Sequence, residues 1–202
     1  MKRLLAILAV LVFSLFAAAA ARADGIIVTE TATTVSGSLD GNPFTNALVT
    51  LTLTGDTANV NQSLGSGIFE LPGTATVFVA GIGSDTFTGS IFAIVNQSST
   101  DGGISDLTQG PTEGAALIVT GNNLAFSTYD LTSSIGPLSG YAGSSLNFNN
   151  PSSTLGGSFV ISNLSGDATF TATVVPEPSS LLLVIVGLAG SFGMWKRKKR
   201  TS

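Results

Sequence analysis

The chain has 202 residues, of which 44% are hydrophobic and 10% are charged, and it contains neither cysteine nor histidine. Its formal net charge is −4, from 8 Lys and Arg against 12 Asp and Glu. The missing residue types exclude disulfide bonds, histidine-based catalysis and cysteine nucleophiles.

The charges are distributed unevenly along the chain. Every cation lies in the first 22 or the last 7 residues, so residues 24–175 carry eleven acids and no Lys, Arg or His. This segment therefore has a side-chain charge of −11 with no cation to balance it. The composition excludes ion pairs between its side chains. It also excludes a nucleic-acid-binding body, which needs cations that face phosphates.

The N-terminus has the pattern of a secretory signal peptide. A basic start at Lys2 and Arg3 is followed by an apolar run of about a dozen residues and by an alanine tract. The small residues Ala21 and Ala23 suit the pocket of signal peptidase and predict cleavage after Ala23. Residues 1–23 are therefore predicted to form a signal peptide helix that the mature protein lacks. The alanine-rich end argues against an uncleaved anchor.

Residues 24–175 are predicted to form one acidic β domain. Apolar residues alternate with threonine around 49–54, 75–79 and 169–174, and this period of two is typical of half-buried strands. About nine short strands without crossover helices predict an antiparallel β-sandwich of the jelly-roll or Ig-like kind. Other strands are predicted at 26–35, 68–71, 85–95, 115–120, 124–131 and 158–161, with turns at 40–43, 71–73 and 101–103 and long surface loops at 97–114 and 132–150.

The C-terminal residues 176–202 have three parts in a defined order. The triplet Pro176-Glu177-Pro178 comes first, and the uncharged segment 179–195 follows. This segment is at the lower limit of about 17 residues for a transmembrane helix. Five cations then predict that the tail stays in the cytoplasm and the preceding domain outside. These cations are Lys196, Arg197, Lys198, Lys199 and Arg200.

This order resembles the PEP-CTERM sorting signal, which is found on exported proteins of Gram-negative bacteria that make exopolysaccharide. The resemblance covers residues 176–202 and implies recognition by an exosortase, a membrane transpeptidase-like enzyme that cuts near the Pro-Glu-Pro triplet. It implies transient anchoring in the inner membrane with the domain in the periplasm, followed by delivery to the cell surface or the extracellular space. The catalytic residues of this reaction belong to the exosortase.

The composition of the domain still allows two kinds of chemistry, which are Ca²⁺ binding and catalysis by a carboxylate pair. Carboxylates in turns, above all Asp101 and Asp106, are weak candidates for a Ca²⁺ site, although their spacing does not fit an EF-hand. A carboxylate pair, as in glycoside hydrolysis, is the catalytic arrangement that the composition still allows, but none of the eleven acids stands in a recognisable setting. We predict no enzymatic activity and no cofactor.

Thr-x-Thr pairs recur in the domain, for example at 50/52, 74/76 and 169/171. Threonine ladders of ice-binding proteins need regular repeats, whereas these pairs fall at irregular intervals. Threonine also suits the exposed face of any strand. Carbohydrate recognition usually stacks sugars on Trp or Tyr, and the domain offers only Tyr129 and Tyr141.

The sequence thus predicts an exported cell-surface or extracellular-matrix protein, structural or adhesive in an exopolysaccharide or biofilm matrix. Signal peptidase and exosortase are its predicted processing enzymes, and exopolysaccharide is a candidate partner. The first alternative is a carbohydrate- or calcium-binding module, and the second is a carboxylate-pair glycosidase.

Overall fold

The computed structural model describes residues 24–106, 115–144 and 151–175. Within them, Gly25–Val175 form a compact unit that is built almost entirely of β-strands. The described strands are β1 Gly25–Leu39, β2 Asn42–Asp56, β3 Ile68–Val79, β4 Gly83–Thr86, β5 Ile91–Asn96, β6 Asp101–Asp106, β7 Ala115–Gly121, β8 Ile135–Gly143, β9 Ser152–Ser153 and β10 Ser158–Val175. Short 3₁₀ helices occur at Thr57–Asn59 and Leu124–Thr128.

Eight of these strands form a closed antiparallel barrel, so the predicted β-sandwich is wrong. They are hydrogen-bonded in the order β1-β2-β3-β5-β6-β7-β8-β10, and β10 pairs back onto β1. Two short strands lie off this ring, where β4 pairs with β3 and β9 pairs with β10.

The reason for closure lies in the first and last strands of the domain. A sandwich and a barrel both bury one face of every strand, so the alternation of apolar and polar residues is the same in both. The two folds differ in whether the two end strands of the sheet pair with each other. Here β1 and β10, of 15 and 18 residues, pair from Gly25–Val175 to Leu39–Phe159 with two irregularities in register. Such irregularities bend strands and help a sheet to close.

The turn predicted at 40–43 is confirmed between β1 and β2. Asp40 and Gly41 have φ angles of 52° and 79°. Two consecutive positive φ angles match the right-handed twist of the flanking strands in a two-residue hairpin, and Asp-Gly is a preferred sequence for it.

The turn predicted at 71–73 is wrong, because these residues lie inside β3. Residues 68–73 pair with β5 on one side, whereas β2 pairs with β3 only from Gly73 onward. Pro72 therefore lies next to an edge that β2 leaves open, where a missing N–H group is tolerated. A Cβ atom on Gly73 would lie 2.4 Å from the carbonyl oxygen of Thr54, so the close approach of β2 requires glycine.

The loop predicted at 97–114 contains β6, which includes Gly102 and Gly103. A Cβ atom on Gly102 would lie 2.5 Å from the ring of Phe126, and one on Gly103 would lie 2.2 Å from the carbonyl oxygen of Ile118. These glycines thus permit close packing where the sequence suggested a turn. Two further predictions are wrong, since 124–131 holds a 3₁₀ helix and 132–150 holds β8.

The barrel interior is a continuous apolar core that contains two aromatic clusters. Phe170 packs edge-to-face on Phe126 and Tyr129, with ring centroids 5.2 and 6.2 Å away. Phe159 contacts Phe44 and Phe87, with centroids 6.3 and 6.0 Å away. Buried aliphatic side chains of β1, β2, β3 and β5 fill the space between the aromatic groups.

In the part of the chain that the structure describes, no helix is both long enough and apolar enough to cross a membrane. The signal peptide helix predicted at 1–23 and the transmembrane helix predicted at 179–195 lie outside that part.

We expect Phe170→Ala to lower the free energy of unfolding by about 3–5 kcal/mol, because it leaves a cavity between two aromatic rings. Urea unfolding of the purified chain, followed by circular dichroism, measures this loss. The control Phe78→Ala removes a ring that is 46% exposed, and surface changes of this kind cost about 0.5 kcal/mol. Equal losses in the two variants would contradict the assignment of Phe170 to the core.

Candidate functional site

The predicted processing residues lie outside the described part of the chain. They are Ala21 and Ala23, the triplet Pro176-Glu177-Pro178, and the cations at 196–200. The structure does describe the boundary of the barrel next to them. The first residue of β1, Gly25, stands opposite the last residue of β10, Val175. Both predicted cuts therefore fall beyond the outermost residue pair, and neither cut removes a strand of the barrel.

The weak calcium candidates Asp101 and Asp106 are not brought together. They occupy the two ends of β6, and the five residue steps of extended strand between them correspond to about 17 Å. Burial raises the pKa of Asp101, and a hydrogen bond with Ser99 partly offsets this effect. Asp106 is fully buried. Among the described residues, no group of three or more acidic side chains is placed to hold a metal ion.

The structure instead joins Asp40 and Asp85, which are far apart in the sequence. Thr154 donates its hydroxyl to Asp40 Oδ1 at 2.6 Å, and the N–H group of Gly156 donates to Asp85 Oδ2 at 2.6 Å. A Cβ atom on Gly156 would lie 2.9 Å from an oxygen of each carboxylate. The two acids therefore flank the turn after β9 and fasten it to the β1–β2 hairpin and to β4.

Backbone N–H donors stabilise the ionised form of Asp85. Hydrogen bonds from Gly156 and then from Thr86 lower the pKa of Asp85, with smaller contributions from Thr154 and Asp40. A general acid for glycoside hydrolysis needs the opposite, a raised pKa that keeps its proton at neutral pH. Asp40 and Asp85 therefore serve to fasten the turn after β9 to the rest of the barrel, and we call this arrangement the clasp.

Glu30 lies inside the barrel, where it is fully buried. Its Oε1 atom accepts a hydrogen bond of 2.6 Å from the hydroxyl of Thr120, and no hydrogen-bond partner reaches Oε2 within the described residues. Burial raises the pKa of Glu30 well above its ordinary value, and the bond from Thr120 only partly opposes this shift. Burial in the core therefore favours the neutral, protonated form of Glu30 over the charged one.

The position of Glu30 could have been found from the sequence, whereas the pairing of Asp40 with Asp85 could not. Glu30 continues the inward series Ile26, Val28 and Ala32 at a period of two, so the alternation in β1 already places it on the apolar face. Asp40 and Asp85 meet only because separate hairpins end at the same rim of the barrel.

Comparison with known proteins identifies the region that follows the barrel. Residues 174–198 match the family model of the PEP-CTERM protein-sorting motif, which confirms the resemblance seen in the sequence. The match begins with Val174 and Val175, the last two residues of β10. No curated protein and no solved structure matches the chain.

We expect Glu30→Gln to flatten the pH dependence of stability. The folded barrel keeps the proton of Glu30, whereas the unfolded chain releases it above a pKa of about 4.3. Stability therefore falls as the pH rises from that value toward the raised pKa of the folded state, by at most about 1.4 kcal/mol per pH unit. Urea unfolding at a series of pH values measures the slope. Asp167→Asn, which removes an exposed charge, is the control and should keep most of it. A wild-type slope in Glu30→Gln would contradict the raised pKa of the buried carboxyl group.

We expect Thr154→Val to lower the free energy of unfolding by about 1.5–3 kcal/mol, because it removes a hydrogen bond to a charged group. The same hydroxyl also accepts the N–H group of Gly157 at 3.1 Å. The exposed Thr45 provides the matched control Thr45→Val, with an expected change within about 0.5 kcal/mol. Thermal or urea unfolding compares the two variants, and equal effects would argue against the clasp.

Proposed function

We propose that this exported protein, which carries a PEP-CTERM sorting motif and is thereby a substrate of an exosortase, is a structural or adhesive component of the cell surface or extracellular matrix. The match at residues 174–198 carries the proposal. The motif directs export and delivery toward the cell surface, and the barrel is the part that would act there.

The junction between barrel and motif supports this division of labour. The β1–β10 pairing ends at Gly25 and Val175, and the Pro-Glu-Pro triplet begins at the next residue, Pro176. A cut near the triplet would therefore release a barrel with all of its strands. A prolyl segment also favours extended backbone, which keeps a cleavage site accessible.

The closure, charge and core of the barrel suit a protein that acts outside the cell. Because the two end strands of the eight-stranded ring, β1 and β10, pair with each other, neither is left as an edge to which copies could add strands. The charge of −11 over residues 24–175 keeps copies apart and hydrated. The domain needs no disulfide bond, because its stability rests on a continuous apolar core.

Replacing Pro176, Glu177 and Pro178 by alanine in the native host tests the sorting step. We expect the variant chain to stay in the membrane fraction, whereas the wild type is processed and recovered at the cell surface or in the matrix. Pro43→Ala, an exposed proline of β2, is the matched control and should be processed normally. If the triple variant reaches the matrix in wild-type amounts, the triplet does not direct sorting.

The matrix role is tested in the same host by deleting the gene. We expect weaker cohesion of the matrix under shear, restored by the wild-type gene and not by the triple alanine variant. Unchanged cohesion after deletion would contradict a structural role, whatever the outcome of the sorting test.

A further inference from the structure

The irregularly spaced threonines of the sequence become regular rows on the outside of the barrel. Cross-strand register places Thr171, Thr29, Thr52, Thr76 and Thr86 side by side across β10, β1, β2, β3 and β4. Every member of this row is at least partly exposed. The row spans five strands, which no spacing along the chain could have revealed.

Two further rows flank the first one and complete what we call the threonine face. One contains Thr169, Thr31, Thr50, Phe78 and Ser84, and the other contains Thr173, Ile27, Thr54 and Thr74. Neighbouring rows lie about 6.6 Å apart along a strand, and neighbouring members of a row lie about 4.8 Å apart. The hydroxyl groups thus form a two-dimensional grid.

The threonine face is uncharged although it belongs to a strongly acidic domain. None of its fourteen residues is an acid, and residues 24–175 contain no cation. A polyanion would be repelled by the domain as a whole, and a cationic ligand would find no carboxylate in the grid. The charge distribution therefore favours a neutral ligand rich in hydrogen-bonding groups.

Phe78 adds an exposed aromatic ring to the grid. It is 46% exposed and stands between Thr50 and Ser84 on the neighbouring strands. An exposed ring offers an apolar platform on which the C–H face of a sugar can stack, while adjacent hydroxyl groups bond its oxygens. Tyr129 is buried and 4% exposed, whereas Tyr141 is 50% exposed but lies on β8, outside the three rows. The aromatic group available to a sugar on this face is thus a phenylalanine.

A grid of hydroxyl groups can bind ice or a polysaccharide, and the shape of the threonine face favours the polysaccharide. Each strand of a sheet is rotated by about 20–25° relative to the next, so a five-strand face twists strongly. A flat ice plane would meet only part of such a surface, whereas a polysaccharide chain can follow it. β-Branched threonine side chains have few rotamers, so little conformational entropy is lost when they bind.

We propose that the threonine face binds a neutral polysaccharide, with Phe78 as the stacking platform and the rows of hydroxyl groups as hydrogen-bonding partners. This inference rests on the proposed surface or matrix role, because it names the ligand class through which the barrel would act there.

The test uses the protein as the native host makes it, purified from that host. Its binding is measured by affinity electrophoresis in gels that contain the host's own matrix polysaccharide, separated by anion exchange into neutral and anionic fractions. We expect the neutral fraction to retard the wild type and the anionic fraction to leave its mobility unchanged.

Variants then locate the site. Phe78→Ser and Thr52→Asp are expected to weaken binding by about tenfold or more, because the first removes the central aromatic anchor and the second places an unpaired carboxylate under the ligand. Phe78→Trp should bind at least as well as the wild type. Leu124→Ser, which changes a residue that is 80% exposed and lies off the threonine face, should bind normally. Equal melting temperatures will show that the variants are folded.

Several outcomes would overturn the inference. The wild type could fail to bind the neutral fraction, or it could bind the anionic fraction equally well. Phe78→Ser and Thr52→Asp could bind as well as the wild type does. The protein could also cause thermal hysteresis of ice growth without binding polysaccharide. A dimer in light scattering that Phe78→Ser dissociates would instead assign the face to a second copy. The proposed function has a separate readout, since a Phe78→Ser chain that is still sorted to the matrix shows that only the ligand assignment has failed.

Discussion

The pairing of β1 with β10 is the constraint on which the rest of the structure depends. It joins the first residue of the barrel to the last one, Gly25 to Val175, and turns an open sheet into a ring. Once the ring is closed, every strand of the ring has a neighbour on each side, and alternate residues must point inward or outward. The core, the buried carboxyl of Glu30 and the threonine face all follow from this register.

A domain without cations must accommodate its carboxylates by other means, and the barrel uses three. Asp85 is held by backbone N–H groups and stays ionised at a lowered pKa. Glu70, which is 1% exposed, accepts the N–H group of Leu64 at 2.6 Å and the hydroxyl of Ser63 at 2.8 Å. Within the described residues Glu30 accepts one side-chain hydrogen bond, from Thr120, and burial raises its pKa and favours its protonated form. Neutral donors and protonation replace the ion pairs that the composition forbids, and they make the stability of the domain depend on pH.

Sorting and the proposed matrix role depend on different parts of the chain. The PEP-CTERM motif is matched at residues 174–198, and it shares with the last strand of the barrel the two residues Val174 and Val175. The proposed ligand face lies on side chains from five strands and needs the folded ring. Processing at the motif and binding at the barrel can therefore be tested separately.

Features that depend on near neighbours along the chain could be predicted from the sequence. The alternation of apolar and polar residues correctly predicted strands at 26–35, 49–54, 75–79 and 169–174. Asp40-Gly41 predicted the hairpin turn, and the order of residues at the C-terminus predicted the sorting motif. The burial of Glu30 could be predicted in the same way, because this residue stands within the apolar face of β1. Tertiary structure alone decided closure into a barrel, the course of β3 through Pro72, the clasp of Asp40 with Asp85 and the rows of threonine. The physical reason is that a period of two tells which face a residue occupies, whereas strand partners and register are set by contacts between residues distant in the chain.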